Sequence, residues 1–366
     1  MECVFLNPIW RSVRNIENVE VLPFGPLFAT DLSVIEIERL GASVAHEDTR
    51  GIRTWDHTRR RFLRWEAEQV TPLSESLSPL DRQPTPDDLP LDGWLAASLD
   101  CRAVAALSLD RLVVAFAGTQ TLDLPCSPGW HGRDVIGAVA FPWADPRAVA
   151  IIPTEDPATH RMLIIDTETG GFDHDVVLDS DHPAGFTIYG HPIGQGFVVE
   201  AGRGQDGTDL WSVQASEGRI NVTSSGTWQR VFADFSPDGT EILTTPHYGD
   251  DLEIFSWPDW TPRAAVSADA VFAKDGNDPV DRFDFFAAYL TPHRILAKST
   301  EYGGMVVIDR QAGTPQQRLS LAGLAADEDG VTPIQSFALL GGAHLLTWSW
   351  EQGTSSMDIW PLPESL

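Results

Sequence analysis

The sequence predicts an all-β fold built from seven repeats of a four-stranded antiparallel unit. Three observations predict it. Short alternating apolar segments, several ending in tryptophan, recur at a nearly constant interval along the 366 residues. Within each interval the same succession of strands and turns can be traced, and helical periodicity is nearly absent. The 42% of hydrophobic and 21% of charged residues are typical of a folded globular chain.

The interval comes from seven corresponding positions at the ends of the alternating segments. They are Trp55, Leu124, Ile165, Trp211, Trp257, Ile308 and Trp360. Their spacings are 69, 41, 46, 46, 51 and 52 residues, and a 23-residue stretch rich in Pro, Ser and Asp (residues 71–93) accounts for the long first one. A period of about 40–50 residues is typical of propeller blades. The sequence therefore predicts a seven-bladed β-propeller, with six or eight blades as alternatives.

One repeat shows the order of elements inside a blade. A strand ending at Phe235 is followed by the turn Ser236-Pro237-Asp238-Gly239, a second strand, a polar loop and a third strand ending at Trp257. Pro, Asp and Gly supply the fixed φ, the side-chain cap and the positive φ that a hairpin turn needs. A fourth strand near residues 263–267 completes a blade.

These residues resemble the WD40-type or closely related WD40-like β-propellers. The resemblance depends on Trp55-Asp56, on the turn Phe235-Ser236-Pro237-Asp238-Gly239, and on the endings Ile165-Asp166 and Ile308-Asp309. It covers nearly the whole chain and implies a single propeller domain over residues 1–366, with residues 71–93 inserted between the first and second blades. It also implies a rigid platform for interactions.

Chain closure is predicted from the two ends. Only six residues follow Trp360, too few for a fourth strand in the last blade. An open blade edge favours pairing with another strand. The alternating segment at residues 18–24 is predicted to fill this place and to close the propeller.

The charge balance limits the partners. With 25 Lys and Arg against 53 Asp and Glu, the formal charge is −28. Such a charge repels phosphate backbones and anionic lipid surfaces, so neither nucleic acid nor membrane is an expected partner. The sequence carries no apolar run of membrane-helix length and no secretory signal pattern, and a cytoplasmic location is expected.

No motif predicts a cofactor. The glycine-rich stretch at residues 202–207 fits a dinucleotide-binding spacing, but an alternating strand follows it where a helix would be needed, so a hairpin loop is expected. Asp275, Asn277, Asp278 and Asp281 cluster oxygen ligands that suit Ca²⁺, without the spacing of an EF-hand loop. They are weak metal candidates, since the same residues are also ordinary turn formers.

The predicted functional face consists of loops that join second to third strands, which all project from one side of a propeller. Acidic, histidine and aromatic residues on a common rim are typical of a binding face. These residues are His46, Glu47, Asp48, Glu155, Asp156, His160, His247, Tyr248, Asp250, Asp251, Glu301, Tyr302 and Trp350.

Two functions compete. The first is a non-catalytic scaffold that binds a protein partner, expected to be basic, through this acidic and aromatic face. The alternative is a propeller enzyme (a hydrolase, lyase or isomerase, with or without a metal) whose site lies at the central channel mouth. His46, His160 and His247 on the acidic rim support it. No nucleophile elbow or His-Glu-x-x-His motif is present in the sequence, which favours the scaffold.

Overall fold

The structure is a computed structural model of the chain. It describes residues 33–37, 52–56, 58, 60–66, 69–73, 80–90, 94–108, 110–125, 137–156, 158–180, 185–216, 219–227, 229–247, 250–272, 282–300, 304–321, 334–340, 343–351, 354–363 and 366. Contacts divide the chain into two compact units. The first is Met1–Ile9 with Asp48–Trp228, and the second is Trp10–Glu47 with Gln229–Leu366.

The described residues of the first unit form four sheets, each of four antiparallel strands in chain order. The strand β1 (Ser33–Ile37) precedes them in the chain and pairs within the second unit. Sheet 1 is β2 (Ile52–Asp56), β3 (Arg61–Glu66), β4 (Gln69–Pro72) and β5 (Gln83–Pro84); sheet 2 is β6 (Trp94–Ala97), β7 (Ala103–Leu107), β8 (Arg111–Phe116) and β9 (Thr119–Pro125). Sheet 3 is β10 (Ala138–Ala140), β11 (Arg147–Pro153), β12 (Thr159–Asp166) and β13 (Phe172–Asp179); sheet 4 is β14 (Gly185–Gly190), β15 (Gly196–Gly202), β16 (Thr208–Ser216) and β17 (Arg219–Ser224).

In the second unit, the part of the chain that the structure describes forms three sheets. Sheet 5 is β18 (Arg230–Phe235), β19 (Glu241–Pro246), β20 (Leu252–Ser256) and β21 (Pro262–Val266), and the short helix α1 (Ala268–Val271) follows it. Sheet 6 is β22 (Phe283–Thr291), β23 (Arg294–Ser299), β24 (Met305–Asp309) and β25 (Thr314–Leu321), with β1 added in parallel beside β25. Sheet 7 is β26 (Ile334–Leu340), β27 (His344–Glu351) and β28 (Thr354–Pro361).

The hydrophobic core lies between the faces of consecutive sheets. In the first unit, one cluster joins sheets 1 and 2, a second joins sheets 2 and 3, and a third joins sheets 3 and 4. In the second unit, two clusters join sheet 5 to 6 and sheet 6 to 7. Inner strands are therefore covered on both faces and read as continuous apolar runs, as in Ala103–Leu107, where every residue is buried. Outermost strands such as Phe172–Asp179 are largely exposed and polar.

The apolar-Asp endings of the repeat have a defined role in the turn between third and fourth strands. The Asp166 carboxylate accepts hydrogen bonds from the backbone N–H groups of Glu168 and Thr169 (2.9 and 3.1 Å). The turn closes when the Gly170 N–H donates to the Asp166 carbonyl at 2.8 Å, with Gly170 at φ +71°. Asp309 caps the corresponding turn in sheet 6, where Gly313 has φ +64°. These aspartates fix a left-handed turn that favours glycine.

The predicted phase of the repeat is correct from the third blade onward. Ile165, Trp211, Ile308 and Trp360 lie in the third strands of their sheets, and Trp257 directly follows one. The prediction is wrong for Trp55, which lies in a first strand, and for Leu124, which lies in a fourth strand. The cause is the apolar alternation itself, because every half-buried strand shows it and the pattern alone does not number the strands.

The irregular first interval has a simple structural explanation. Residues 71–93, predicted as an insert, include the last two residues of β4 and the two-residue strand β5, which belong to sheet 1. Third strands therefore end at Pro72, Phe116 and Asp166, spacings of 44 and 50 residues that match the rest of the chain. Seven sheets among the described residues agree with seven blades.

Closure by an N-terminal strand stays a prediction. Residues 18–24 lie outside the described residues, and within those described, sheet 7 has three strands. Another N-terminal segment, Ser33–Ile37, pairs in parallel with β25 of sheet 6 instead. The glycine-rich stretch at residues 202–207 is confirmed as a hairpin loop, since it joins β15 to β16 through a 3₁₀ turn (Gly204–Asp206).

Candidate functional site

The predicted face is partly within the described residues. Glu155 and Asp156 lie in the loop between β11 and β12, and His247, Asp250 and Asp251 lie in the loop between β19 and β20. Both loops join second to third strands, as predicted. The other candidates lie outside the described residues: His46, Glu47, Asp48, Tyr248, Glu301, Tyr302, and the weak metal candidates Asp275, Asn277, Asp278 and Asp281. Trp350 was expected in a loop, and its backbone belongs to β27.

The strand β22, which contacts the loop between β19 and β20, contains a bulge. The pairing of β22 with β23 passes from Phe283↔Ser299 directly to Ala287↔Ala297, so three residues of β22 face one residue of β23. The three are Asp284, Phe285 and Phe286. β-Bulges re-aim side chains and are frequent next to functional sites. Here the bulge leaves Phe285 39% exposed, although it belongs to the first strand of its sheet.

The bulge of β22 contacts the loop between β19 and β20 at two places. The rings of His247 and Phe285 are stacked, with centroids 5.5 Å apart and an interplanar angle of 27°. Asp250 follows His247 by three residues, and Arg282 precedes Phe285 by three. The Arg282 Nε atom lies 3.0 Å from a carboxylate oxygen of Asp250. The Thr245 hydroxyl donates to the Phe285 carbonyl at 3.1 Å and fixes the backbone between them. We call His247, Asp250, Arg282 and Phe285 the bulge site.

A buried guanidinium holds the loop in place. Arg230 is 5% exposed, and it donates to the hydroxyl and the carbonyl of Thr244 and to the Asp251 carbonyl (3.1, 3.1 and 2.7 Å). Burial lowers the pKa of Arg230, and the nearby Glu253 and Asp251 carboxylates oppose that shift. The Asp251 carboxylate in turn accepts the Ala268 N–H at 3.1 Å and joins the loop to α1. The described end of the loop is therefore anchored at Asp251 before any partner arrives.

An ion pair supports the bulge from beneath. Lys298 is the residue of β23 opposite the bulge, is 4% exposed, and donates to the Asp284 carboxylate. The other Asp284 oxygen accepts the Phe285 N–H at 2.6 Å. Removing one partner from such a pair leaves a charge in a desolvated place, so the pair fixes the bulge in one conformation.

The corresponding loops of the first unit are acidic and locally satisfied. Glu155 and Asp156 are exposed, and the Asp156 carboxylate accepts the Ala158 N–H at 3.0 Å. In the next loop Asp206 is exposed, while Asp209 accepts a hydrogen bond from the Ser180 hydroxyl at 2.8 Å and lies 3.6 Å from the Arg203 Nε atom. These loops add negative charge, and neither residues 154–158 nor residues 203–207 include an aromatic residue in the sequence.

His160 has a different place from the one expected. It lies in β12, is 2% exposed, and packs against Phe186 with ring centroids 4.6 Å apart. Burial lowers the pKa of His160 from 6.5 to about 4. The charged form is therefore disfavoured in the folded chain, and His160 is a core residue of the first unit.

This burial predicts a pH dependence of stability. The unfolded chain protonates His160 near pH 6.5 and the folded chain only near pH 4, so stability falls as the pH drops through that window. We expect His160→Leu to lack about 2 kcal/mol of the loss that the wild type shows between pH 7 and pH 5. Urea unfolding at both pH values measures it, with the exposed His293→Gln as control. Equal pH dependence in all three proteins would contradict the buried, neutral state.

The sequence did not predict a role for three residues: Arg282 and Phe285 of the bulge site, and Arg230, which holds the loop. Arg230, Arg282 and Phe285 lie in or next to first strands, where the pattern indicates only core. A signal was present in the run Phe283-Asp284-Phe285-Phe286, because it does not alternate as a regular strand does. A charge in the interior of an apolar strand is such an exception.

The described residues contain no group of three or more His, Cys, Asp or Glu side chains that could hold a metal ion. Within the same part of the chain, no helix is both long and apolar enough to cross a bilayer.

Comparison with known structures identifies the fold. The β-propeller domain of Cps50 (Swd1) from Myceliophteria thermophila superposes with a TM-score of 0.52 at 11% identity, covering 89% of this chain and 99% of that one. The chain has a β-propeller fold. The sequence-based resemblance to WD40-like propellers is thus confirmed at the level of the fold, and the seven sheets fit seven blades.

Two other propellers are similar at lower scores. The Dos1 propeller gives a TM-score of 0.49 at 12% identity, covering 82% of this chain and 75% of that one. The Pan2 WD40 domain of Neurospora crassa gives 0.47 at 11% identity, covering 86% and 89%. No protein-family model matches the sequence, and no curated protein matches it.

Proposed function

We propose that this propeller is a non-catalytic scaffold that binds a basic segment of a protein partner through the bulge site. The observation that carries the proposal is Phe285, an aromatic ring 39% exposed on a bulged first strand. Exposed aromatic rings on a rigid frame supply much of the energy of protein interfaces. The frame here consists of two separate sets of contacts, those of Arg230 with the loop and that of Lys298 with Asp284, which limit the ordering entropy lost on binding.

The charge of the chain supports a basic partner. The loops of the predicted face carry the exposed carboxylates of Asp250 in the second unit and of Glu155, Asp156 and Asp206 in the first. With −28 overall, the chain attracts cationic segments and speeds their arrival, an effect that salt screens. A cytoplasmic partner is part of the same proposal.

The enzyme alternative loses one of its three histidines. His160 is buried with a lowered pKa and is not available to a substrate, and His46 lies outside the described residues. His247 is stacked on Phe285, an arrangement that serves an interface. Binding, and not turnover, is therefore the function we propose.

Affinity capture with matched variants tests the proposal. The wild type, Phe285→Ala and the control Phe172→Ala are immobilised separately. Phe172 suits as control because its ring is 47% exposed on an outermost strand of the first unit. We expect the captured partner to be lost at least tenfold with Phe285→Ala and retained with Phe172→Ala, because a central interface aromatic contributes about 2 kcal/mol. Retention by Phe285→Ala, with its melting temperature unchanged, would show that the partner uses another surface.

A further inference from the structure

Two exposed leucines line one cavity in the first unit. Among the described residues six large apolar side chains are exposed, and Leu80 and Leu99 are two of them, at 53% and 56%. Both line a cavity of about 670 Å³, whose described lining residues are Pro72, Leu80, Asp81, Gln83, Leu99 and Asp100. Single exposed apolar side chains are ordinary, whereas two that meet in one concave surface are typical of a docking site.

Both leucines lie at the same end of their sheets. Leu80 is in the connection from the third to the fourth strand of sheet 1, where its N–H donates to the Pro72 carbonyl at 2.9 Å, and Leu99 is in the connection from the first to the second strand of sheet 2. Because successive strands run antiparallel, these two kinds of connection leave from one end of a sheet and the second-to-third connections from the other. The cavity is therefore separate from the loops of the predicted face, and the bulge site belongs to the second unit.

Hydrogen bonds of the turn hold Leu99 in its exposed position. The Ser98 hydroxyl donates to the Asp100 carboxylate at 2.7 Å, and the Cys101 N–H donates to the Ser98 carbonyl at 2.8 Å. From sheet 1, the Arg61 guanidinium donates to the carbonyls of Ser98 and Leu99 (2.7 and 2.8 Å). The wall of the cavity that carries Leu99 is therefore fixed before a ligand binds, which limits the ordering entropy lost on binding.

A leucine is not needed to build this turn. In sheet 5 the corresponding turn has the same bonds, since the Ser236 hydroxyl donates to the Asp238 carboxylate at 2.7 Å and the Gly239 N–H to the Ser236 carbonyl at 2.8 Å. Pro237 stands there in the place that Leu99 has in sheet 2. The turn thus forms without a leucine, and the exposed Leu99 side chain can contact a ligand.

Each leucine is followed by an aspartate that lines the same cavity. Asp81 is exposed and forms no hydrogen bond or ion pair with the described residues. Asp100 accepts from the Ser98 hydroxyl and the Arg102 N–H on one carboxylate oxygen, which leaves the other oxygen open. The described lining contains no basic residue. Apolar contacts beside such carboxylates suit an apolar side chain that has cations next to it.

We propose that this cavity binds a peptide segment of a partner protein in which a large apolar side chain is flanked by lysine or arginine. The apolar side chain lies against Leu80 and Leu99, and the flanking cations lie beside Asp81 and Asp100. A cavity of about 670 Å³ is large enough, since ligand pockets measure about 300–1,000 Å³. The proposal goes beyond the bulge site and does not rest on it.

Selection from a peptide library tests the proposal. Random dodecapeptides displayed on phage are depleted on the double variant Leu80→Ser/Leu99→Ser and then selected on the wild type. Both side chains are exposed, so the variant is expected to keep the wild-type melting temperature. We expect the enriched peptides to share a large apolar residue next to lysine or arginine. The absence of enriched peptides, or enrichment of peptides without such a cation, would overturn the proposal.

Single variants place an enriched peptide at the cavity by fluorescence anisotropy. We expect Leu99→Ser to bind it about tenfold more weakly than Ile193→Ser, because only the first removes an apolar contact of the cavity. Ile193 is the matched control, since it is 59% exposed in the connection from the first to the second strand of sheet 4. Equal affinities of these two variants would show that the peptide binds elsewhere and would overturn the proposal.

A charge-matched pair tests the cations, and the mass in solution tests a second copy of the chain as occupant. Asp81→Asn is expected to bind about threefold more weakly than Asp179→Asn, whose carboxylate is exposed on an outermost strand, and salt should remove the difference. Equal affinities at low salt would overturn the cationic flank. A wild-type dimer that Leu99→Ser converts to a monomer, measured by light scattering, would show that a second copy occupies the cavity instead.

Discussion

Replacing Arg230 by methionine is expected to lower the free energy of unfolding of the second unit by about 3 kcal/mol. Methionine retains most of the volume but removes every donor of the guanidinium, which binds Thr244 twice and the Asp251 carbonyl once. Leaving buried acceptors without a charged donor costs about 1–3 kcal/mol for each group, and the costs are not additive. The loop that carries Asp250 should lose its anchor as well.

Urea unfolding followed by tryptophan fluorescence measures this loss. The matched control is Arg263→Met, since Arg263 is exposed on the outermost strand of the same sheet. Hydrogen exchange should show faster exchange of the Ala268 amide in Arg230→Met, because that amide is bound by Asp251. If Arg230→Met and Arg263→Met unfold at the same urea concentration, the guanidinium does not stabilise the loop.

Changing Gly170 to alanine is expected to cost about 3 kcal/mol, the second large effect. Gly170 has φ +71°, which strains any L side chain by about 1 kcal/mol. A Cβ placed there would also lie 2.2 Å from the Thr121 carbonyl oxygen of β9. The turn must then move away from sheet 2, and the hydrogen bond from the Thr121 hydroxyl to the Thr167 carbonyl, 2.7 Å long, is lost.

The chain provides a matched control for the backbone strain. Gly313 occupies the corresponding turn of sheet 6 with φ +64°, but a Cβ there would meet no atom within 4 Å. Gly313→Ala should therefore cost only the strain, about 1 kcal/mol. Denaturation of both variants separates strain from contact. Equal losses would mean that the turn in sheet 3 does not lie against β9.

Much of the fold could be predicted from the sequence because propeller repeats are local. Apart from β1, each described strand pairs with a neighbour in the chain, so residues 230–246 with their Ser-Pro-Asp-Gly turn indicate one hairpin without distant contacts. The errors at Trp55 and Leu124 arose because first and fourth strands can show the same alternation as third strands. A two-residue strand such as Gln83–Pro84 has no recognisable pattern.

The candidate site could be predicted only in part. Loop polarity predicted a loop at His247, Asp250 and Asp251, and these residues lie between β19 and β20, because polar groups between strands remain in contact with water. The same argument placed His160 in a loop, yet β12 already begins at Thr159, and the His160 ring is buried. The boundary of a strand depends on pairing partners, which a local pattern does not contain.

By itself the sequence determined the all-β class, the repeat and the acidic character of the loops, since period, turn chemistry and charge are local properties. It predicted seven blades and left six and eight open, and the seven sheets of the described residues fit the first. Only the tertiary structure decided that Phe285 is exposed and that Arg282 lies on Asp250. Both follow from a bulge opposite Lys298 and from the approach of two segments more than 30 residues apart. The physical reason is that a bulge and an ion pair depend on the register between strands, and register is fixed by the packing of whole sheets.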